Sequence, residues 1–170
     1  MPLSKESHRI YSLRQANAND IGFIQSCFRA STKEDRAHKR LHSRLGPYAP
    51  AAEKMAIATM GDGNWQNWGI IGINAQGNPI GFCRGYHRQD QCSTLHKLYI
   101  QPDHRGYHLS RSMIEAFTAS AKQVDSHRLI VTLPSDEMLL FYTKLGFSFF
   151  KTKPSPKKGK PDLIVMKLDL

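Results

Sequence analysis

At 170 residues, with 40% hydrophobic and 22% charged side chains, the chain has the size and balance of one water-soluble domain able to bury its own core. No apolar run approaches the roughly 20 residues that a membrane-spanning helix needs, and the start, Met1-Pro2-Leu3-Ser4-Lys5-Glu6-Ser7-His8, lacks the apolar stretch of a secretory signal, so a cytoplasmic protein with no membrane partner is expected. A formal net charge of +10 favours polyanionic partners, nucleic acid among them, and disfavours cationic substrates such as polyamines.

Residues 10–16 alternate as a first strand, and Asn17-Ala18-Asn19-Asp20 reads as a turn and cap before Ile21, Phe23, Ile24, Cys27 and Phe28, whose spacing is helical. From 31 to 45 the chain becomes strongly charged, with Lys33, Arg36, Lys39, Arg40 and Arg44 against Glu34 and Asp35, the composition of a solvated helix face. Gly46-Pro47-Tyr48-Ala49-Pro50 breaks that helix, and residues 51–60 read as another short one, closed by Gly61-Asp62-Gly63-Asn64. Residues 68–74 and 80–87 form a hairpin about Gln76-Gly77-Asn78-Pro79, and a polar turn over 88–93 leads into a third strand, 94–100, completing an antiparallel meander.

The stretch from Thr94 to Val124 is the best marked in the chain. Pro102 has no N–H for a ladder and Gly106 permits backbone geometry that a side chain forbids, so residues 101–108 form a turn. Leu109, Met113, Ala116, Phe117, Ala121 and Val124 then recur with helical spacing. A helix start beside a strand end offers unbonded N–H groups and the positive end of the helix dipole, with Arg105 and Arg111 flanking it and Ser110 able to cap or to donate, so the turn reads as a pyrophosphate cradle. Residues 128–133 form a short buried strand stopped by Pro134, paired in parallel with 94–100 through a right-handed crossover. Ser135 caps a helix over 136–145 that Gly146 ends, and 147–153 with 162–168 close a hairpin around a lysine-rich loop, 154–161. That basic arm, lacking interleaved aromatics in its loop, reads as a solubility and edge guard, with RNA binding not favoured.

Cys27, Cys83 and Cys92 are odd in number and show no Cys-x-x-Cys spacing, so reduced thiols are expected. The eight histidines form no ligand motif, His104 and His108 included, and no metal is expected.

Two segments carry a family resemblance. Leu98-Tyr99-Ile100, Pro102 and Arg105-Gly106-Tyr107-His108-Leu109-Ser110 resemble the acetyl-CoA signature of the GNAT superfamily of N-acetyltransferases, Arg/Gln-x-x-Gly-x-Gly/Ala after a strand, with His108 where the middle glycine stands and Ser110 as the last small residue. Phe141-Tyr142-Thr143-Lys144-Leu145-Gly146-Phe147 is similar to the superfamily's later motif, with Tyr142, Gly146 and Phe147 in register and Ser135 and Met138 replacing the usual Asn and Ala. The resemblance covers residues 10 to 168, most strongly from Leu95 onward. It implies an α/β (α+β) fold with a mixed, mostly antiparallel central sheet of about six to seven strands, flanked by helices and holding a splayed parallel strand pair. It also implies acetyl-CoA as cofactor and an amine acceptor as partner. Because coenzyme A is itself a polyanion, the net charge suits it. Relatives are commonly dimers, so a homodimer is left open.

By that resemblance, Leu98, Tyr99, Ile100, Arg105, Gly106, Tyr107, His108, Leu109, Ser110, Arg111 and Ser135 surround the cofactor. Backbone groups of Leu98 and Ile100 hold the pantetheine and polarise the thioester carbonyl. Tyr142 is the general acid for the departing thiolate. The usual strand glutamate is missing, and His96, on the face of Leu98, is the candidate base. Three alternatives stay open: a non-catalytic CoA-binding module of the same fold, an acceptor amine attached to RNA, and a plain nucleic-acid-binding protein. The last is ranked lowest because the cations are scattered and no nucleic-acid motif is present.

Overall fold

A computed structural model describes residues 11–38, 45, 67–133 and 136–170. The expected breaker at 46–50, the helix over 51–60 with its Gly61-Asp62-Gly63-Asn64 close, and the cap Ser135 lie outside those residues.

The meander forms as its hairpin signals predict. β1 (Tyr11–Gln15), β2 (Asn67–Asn74), β3 (Pro79–His87) and β4 (Cys92–Ile100) pair antiparallel in sequence order, with Gly77 at φ +82 in the β2–β3 turn. β5 (Arg128–Thr132) joins β4 in parallel, and β7 (Leu163–Asp169) inserts between β5 and the edge strand β6 (Ser148–Lys153). The result is one seven-stranded sheet in the order β1-β2-β3-β4-β5-β7-β6, antiparallel except at β4–β5.

Each face carries its own apolar layer. α1 (Ile21–Ala37) lays Ile24, Cys27 and Phe28 against Ile71, Phe82 and Tyr99, with the Phe28 and Phe82 rings stacked at 6.2 Å. α2 (Leu109–Gln123) covers the other face, where Leu109, Met113, Ile114 and Phe117 meet Cys83, Leu95, Ile100, Leu129 and Val131. The approach of α2 is close because β3 presents a glycine there. A methyl group at Gly85 would stand 2.5 Å from the Phe117 ring and 2.6 Å from the Thr94 carbonyl.

Two elements differ from expectation. α1 runs on through the charged stretch to Ala37, and that stretch is not wholly solvated, since Ser31 and Asp35 are buried. The helix expected over 136–145 begins as a 3-10 turn, Asp136–Met138, and is α-helical only over Leu139–Lys144, here α3. Gly146 follows it at φ +92, as an αL terminator does.

Candidate active site

β4 is where the sheet opens. β4 and β5 pair over four positions, Cys92 with Arg128 through Leu95 with Val131, and there the pairing stops although β4 continues to Ile100. The parting coincides with a β-bulge: Arg84 faces Lys97 and Gly85 faces Leu95, so His96 is the extra residue. The bulge reverses the strand's parity. Leu95 packs in the α2 layer, and beyond His96 it is Leu98 and Ile100 that meet that layer, while Tyr99 and Lys97 turn to α1. His96 therefore does not share the face of Leu98, as simple alternation had implied. Its ring instead meets Tyr86 edge-on at 6.0 Å between centroids.

A cavity of about 260 Å³ occupies the gap, lined from β4 by residues of both faces, from β5 by Val131 and Thr132, and from outside the two strands by Ser110, Arg105, Met138, Phe141 and Tyr142. It is a slot through the sheet. Gln101 donates its N–H to the Ile80 carbonyl at 2.9 Å. Because ladder bonding alternates, Tyr99 and Lys97 then turn their backbone groups to β3, and Leu98 and Ile100 turn theirs to the slot. These are the two residues whose backbones the resemblance assigns to the pantetheine. The Ile100 carbonyl already accepts the Arg105 Nε at 2.9 Å.

At one end of the slot stands the start of α2. The first intrahelical bond there runs from the Ser112 N–H to the His108 carbonyl, so the N–H groups of Leu109, Ser110 and Arg111 precede the helical ladder. Ser110 lines the slot from the first turn and is not the cap; the cap residue is His108, and among the described residues no side chain caps the helix start. Gly106 and His108 both take positive φ, +83 and +65. The glycine of the signature is thus replaced by an exposed histidine that keeps the glycine-like backbone and is not among the residues lining the cavity. Tyr107 is half-buried, Leu109 lies in the core beneath the helix, and Arg111 is exposed. This end fits a pyrophosphate by its backbone donors, Ser110 and Arg111.

Arg105 is committed elsewhere. Its guanidinium bonds Glu34 of α1 through two nitrogens, at 2.9 and 3.1 Å, and lies 5.3 Å from the centre of the Tyr99 ring. The Tyr99 hydroxyl donates to the same carboxylate. Burial first, then that bond to Glu34, pushes the Tyr99 phenol up. Glu34 was legible only as one acid among bases; nothing local links it to a turn 71 positions away.

α3 delivers Tyr142 between Phe141 and Phe147, ring centroids 5.1 and 5.3 Å away. The side chain is buried yet lines the slot, and its hydroxyl has no partner among the described residues. Burial, and after it nearby Cys83, push this phenol up, so it holds its proton. Cys83 is pushed up by burial as well. His96 and Lys97 line the same slot. Burial of the imidazole, then the charges of Lys97, Arg84 and Lys153, push His96 down to about 4, although the residue keeps an exposed face. The slot lining thus brings together Tyr142, His96, Leu98, Tyr99, Ile100, Arg105 and Ser110, and adds Lys97, Thr132, Met138 and Phe141.

The chain matches a family model described as Acetyltransferase (GNAT) family over residues 34–147, about two-thirds of its length. No curated protein matches it in sequence. Among solved structures, a phosphinothricin acetyltransferase from Sinorhizobium meliloti in complex with AcCoA superposes with a TM-score of 0.73 at 16% identity, over 94% of this chain and 88% of that one. The ribosomal-protein-S18-alanine N-acetyltransferase from Escherichia coli gives 0.70 at 13% identity, over 94% of each chain. A nourseothricin acetyltransferase gives 0.56 at 16% identity over 61% of this chain, which spans 65% of that protein. At such identities the shared property is the fold.

Proposed function

Because the chain belongs to the acetyltransferase (GNAT) family, we propose that it is an N-acetyltransferase that moves an acetyl group from acetyl-CoA to the primary amine of a small molecule, peptide or protein. The observation that carries this reading is the slot itself, with phosphate-suited backbone donors at Ser110 and a protonated phenol at Tyr142, without a partner among the described residues, lining one continuous cavity. When bound, acetyl-CoA supplies an activated thioester carbonyl. The chain's part is to place it. The start of α2, with Ser110 and Arg111, holds the pyrophosphate, and the slot-facing backbone of Leu98 and Ile100 aligns the pantetheine arm and donates to the carbonyl oxygen. Among structures of this fold, one is named for phosphinothricin and another for a protein alanine, so small and macromolecular amines both fall within its range.

The proton movements follow from the environments. Tyr142 keeps its proton, pushed up by burial, and so has one to give to a departing thiolate. Tyr142 is accordingly the general acid. His96 near 4 is neutral at physiological pH but too weak a base to strip an ammonium. Its role is to accept a hydrogen bond from an amine already neutral. The cations that depress His96 act on a bound ammonium in the same sense and favour its loss of a proton to water, which compensates for the missing strand glutamate.

The test is thermal unfolding with acetyl-CoA, then turnover with a panel of amines. Acetyl-CoA should raise the melting temperature by mass action. Tyr142→Phe should keep that rise and lower kcat by about 100-fold or more. A normal kcat in Tyr142→Phe removes the tyrosine from the mechanism, and a cofactor shift without turnover of any amine favours the non-catalytic binding module.

A further inference from the structure

β6 is a bare edge. It ends the seven-stranded sheet, five of its six residues are exposed, and no strand among the described residues pairs with its outer side, so a row of backbone donors and acceptors faces solvent. Phe149 adds an apolar side chain that is 61% exposed. The charge of the β6–β7 hairpin is one-sided. Residues 148–169 hold six lysines against two acids, and the acid in β7, Asp169, is engaged by Arg128 and Lys167 at 3.0 and 2.9 Å. Lys151 and Lys153 on the edge, with Lys157, Lys158 and Lys160 in the loop that follows, meet no carboxylate among the described residues. Lys151 stands opposite Val165 and Lys153 opposite Leu163, so the two share one face of the strand, about 7 Å apart. Lysines so placed discourage a second copy of β6, because pairing would oppose cation to cation. The same charges attract a strand that is acidic.

We propose that the outer edge of β6 docks an extended acidic segment of a partner protein, which adds a strand to the sheet and sets carboxylates at alternate positions against Lys151 and Lys153. Main-chain pairing supplies the affinity of such an addition, and the alternating side chains supply its selectivity. Phe149 offers an apolar contact near the start of the strand, and the loop lysines extend the attraction past its end. A nucleic acid would answer the lysines but has no peptide backbone to pair with the edge. The inference stands independently of the acetyl-transfer reading.

The full chain is titrated, at low ionic strength, with a short labelled peptide in which Glu alternates with Val. Three controls accompany it: its Gln-for-Glu counterpart, a Pro-for-Val copy of equal charge that cannot pair as a strand, and a single-stranded oligonucleotide of equal charge. The Glu peptide should bind about tenfold or more tightly than the Gln peptide, the sum of a few exposed ion pairs, and more tightly than the other two. It should also slow amide exchange over residues 148–153. The double variant Lys151→Glu and Lys153→Glu should lose the Glu peptide and gain a Lys-for-Glu one, with its melting temperature as the check on folding. Replacing both lysines by Gln should remove the preference without creating the reverse one. Failure of the Glu peptide to bind, or equal binding of the Gln or Pro peptide, overturns the proposal, and tighter binding of the oligonucleotide overturns it in favour of a nucleic-acid partner. Should the charge-reversed variant misfold, amide exchange in the unaltered chain decides: a bound Glu peptide that leaves 148–153 unprotected removes the β6 edge as its site.

Discussion

An imidazole that titrates near 4 stays neutral across the range in which most enzymes work, and at His96 this has a stability consequence with a definite sign. The unfolded chain takes up that proton near about 6.5 and the folded chain only near 4, so between those values the unfolded state binds more protons. The His96 contribution is therefore present above about pH 6.5 and lost as pH falls toward 4. An NMR titration should place its midpoint near 4, and His96→Gln should flatten that stretch of the acid limb in urea unfolding. His108 carries an independent expectation. A non-glycine residue at φ +65 bears αL strain of about 1 kcal/mol, offset in part by the unfolded-state entropy that a glycine adds. His108→Gly should raise stability by up to about 1 kcal/mol in chemical denaturation and leave acetyl-CoA binding at least as tight. The sequence motif marked this position as a departure, and the backbone there has a conformation that a glycine adopts without strain.

Among the elements, the strand-turn-helix from β4 into α2 was legible because each signal is local: Pro102, Gly106 and the period of Leu109, Met113 and Phe117. The bulge at His96 was not, since period-two alternation has no term for an inserted residue and assigns the following side chains to the wrong faces. The first turn of the helix after Pro134 was misread for a related reason, because helical spacing alone does not separate a 3-10 turn from an α turn. The α1–turn clamp joining Glu34 to Arg105 and Tyr99 was illegible, being a tertiary contact between segments with no shared pattern. The close seat of α2 on β3 was hidden in a single letter. Gly85→Ala should destabilise by about 1–3 kcal/mol, because the methyl group meets backbone at Thr94 as well as the Phe117 ring, and only the ring can yield. Calorimetry would read the loss directly, and a neutral outcome would mean that α2 can lift off the sheet at little cost.

For the molecule as a whole, charge bears on how substrates arrive. A chain of formal charge +10 attracts a polyanion before contact, so the association rate of acetyl-CoA should fall steeply with added salt while dissociation changes less. Stopped-flow measurements across ionic strength would separate the two, and a salt-independent association rate would confine the attraction to the slot. Among the described residues no helix is long and apolar enough to cross a membrane. The inserted residue in β4 also makes the second half of that strand a matter of phase. Were position 96 lost instead of changed, the strand would run on in unbroken alternation. Lys97 and Tyr99 would swing beneath α2 into an apolar layer, and Leu98 and Ile100 would face α1 in their stead. Exchanging the imidazole costs one functional group, whereas deleting its residue inverts every side chain that follows, so at this point chain length is constrained more tightly than identity.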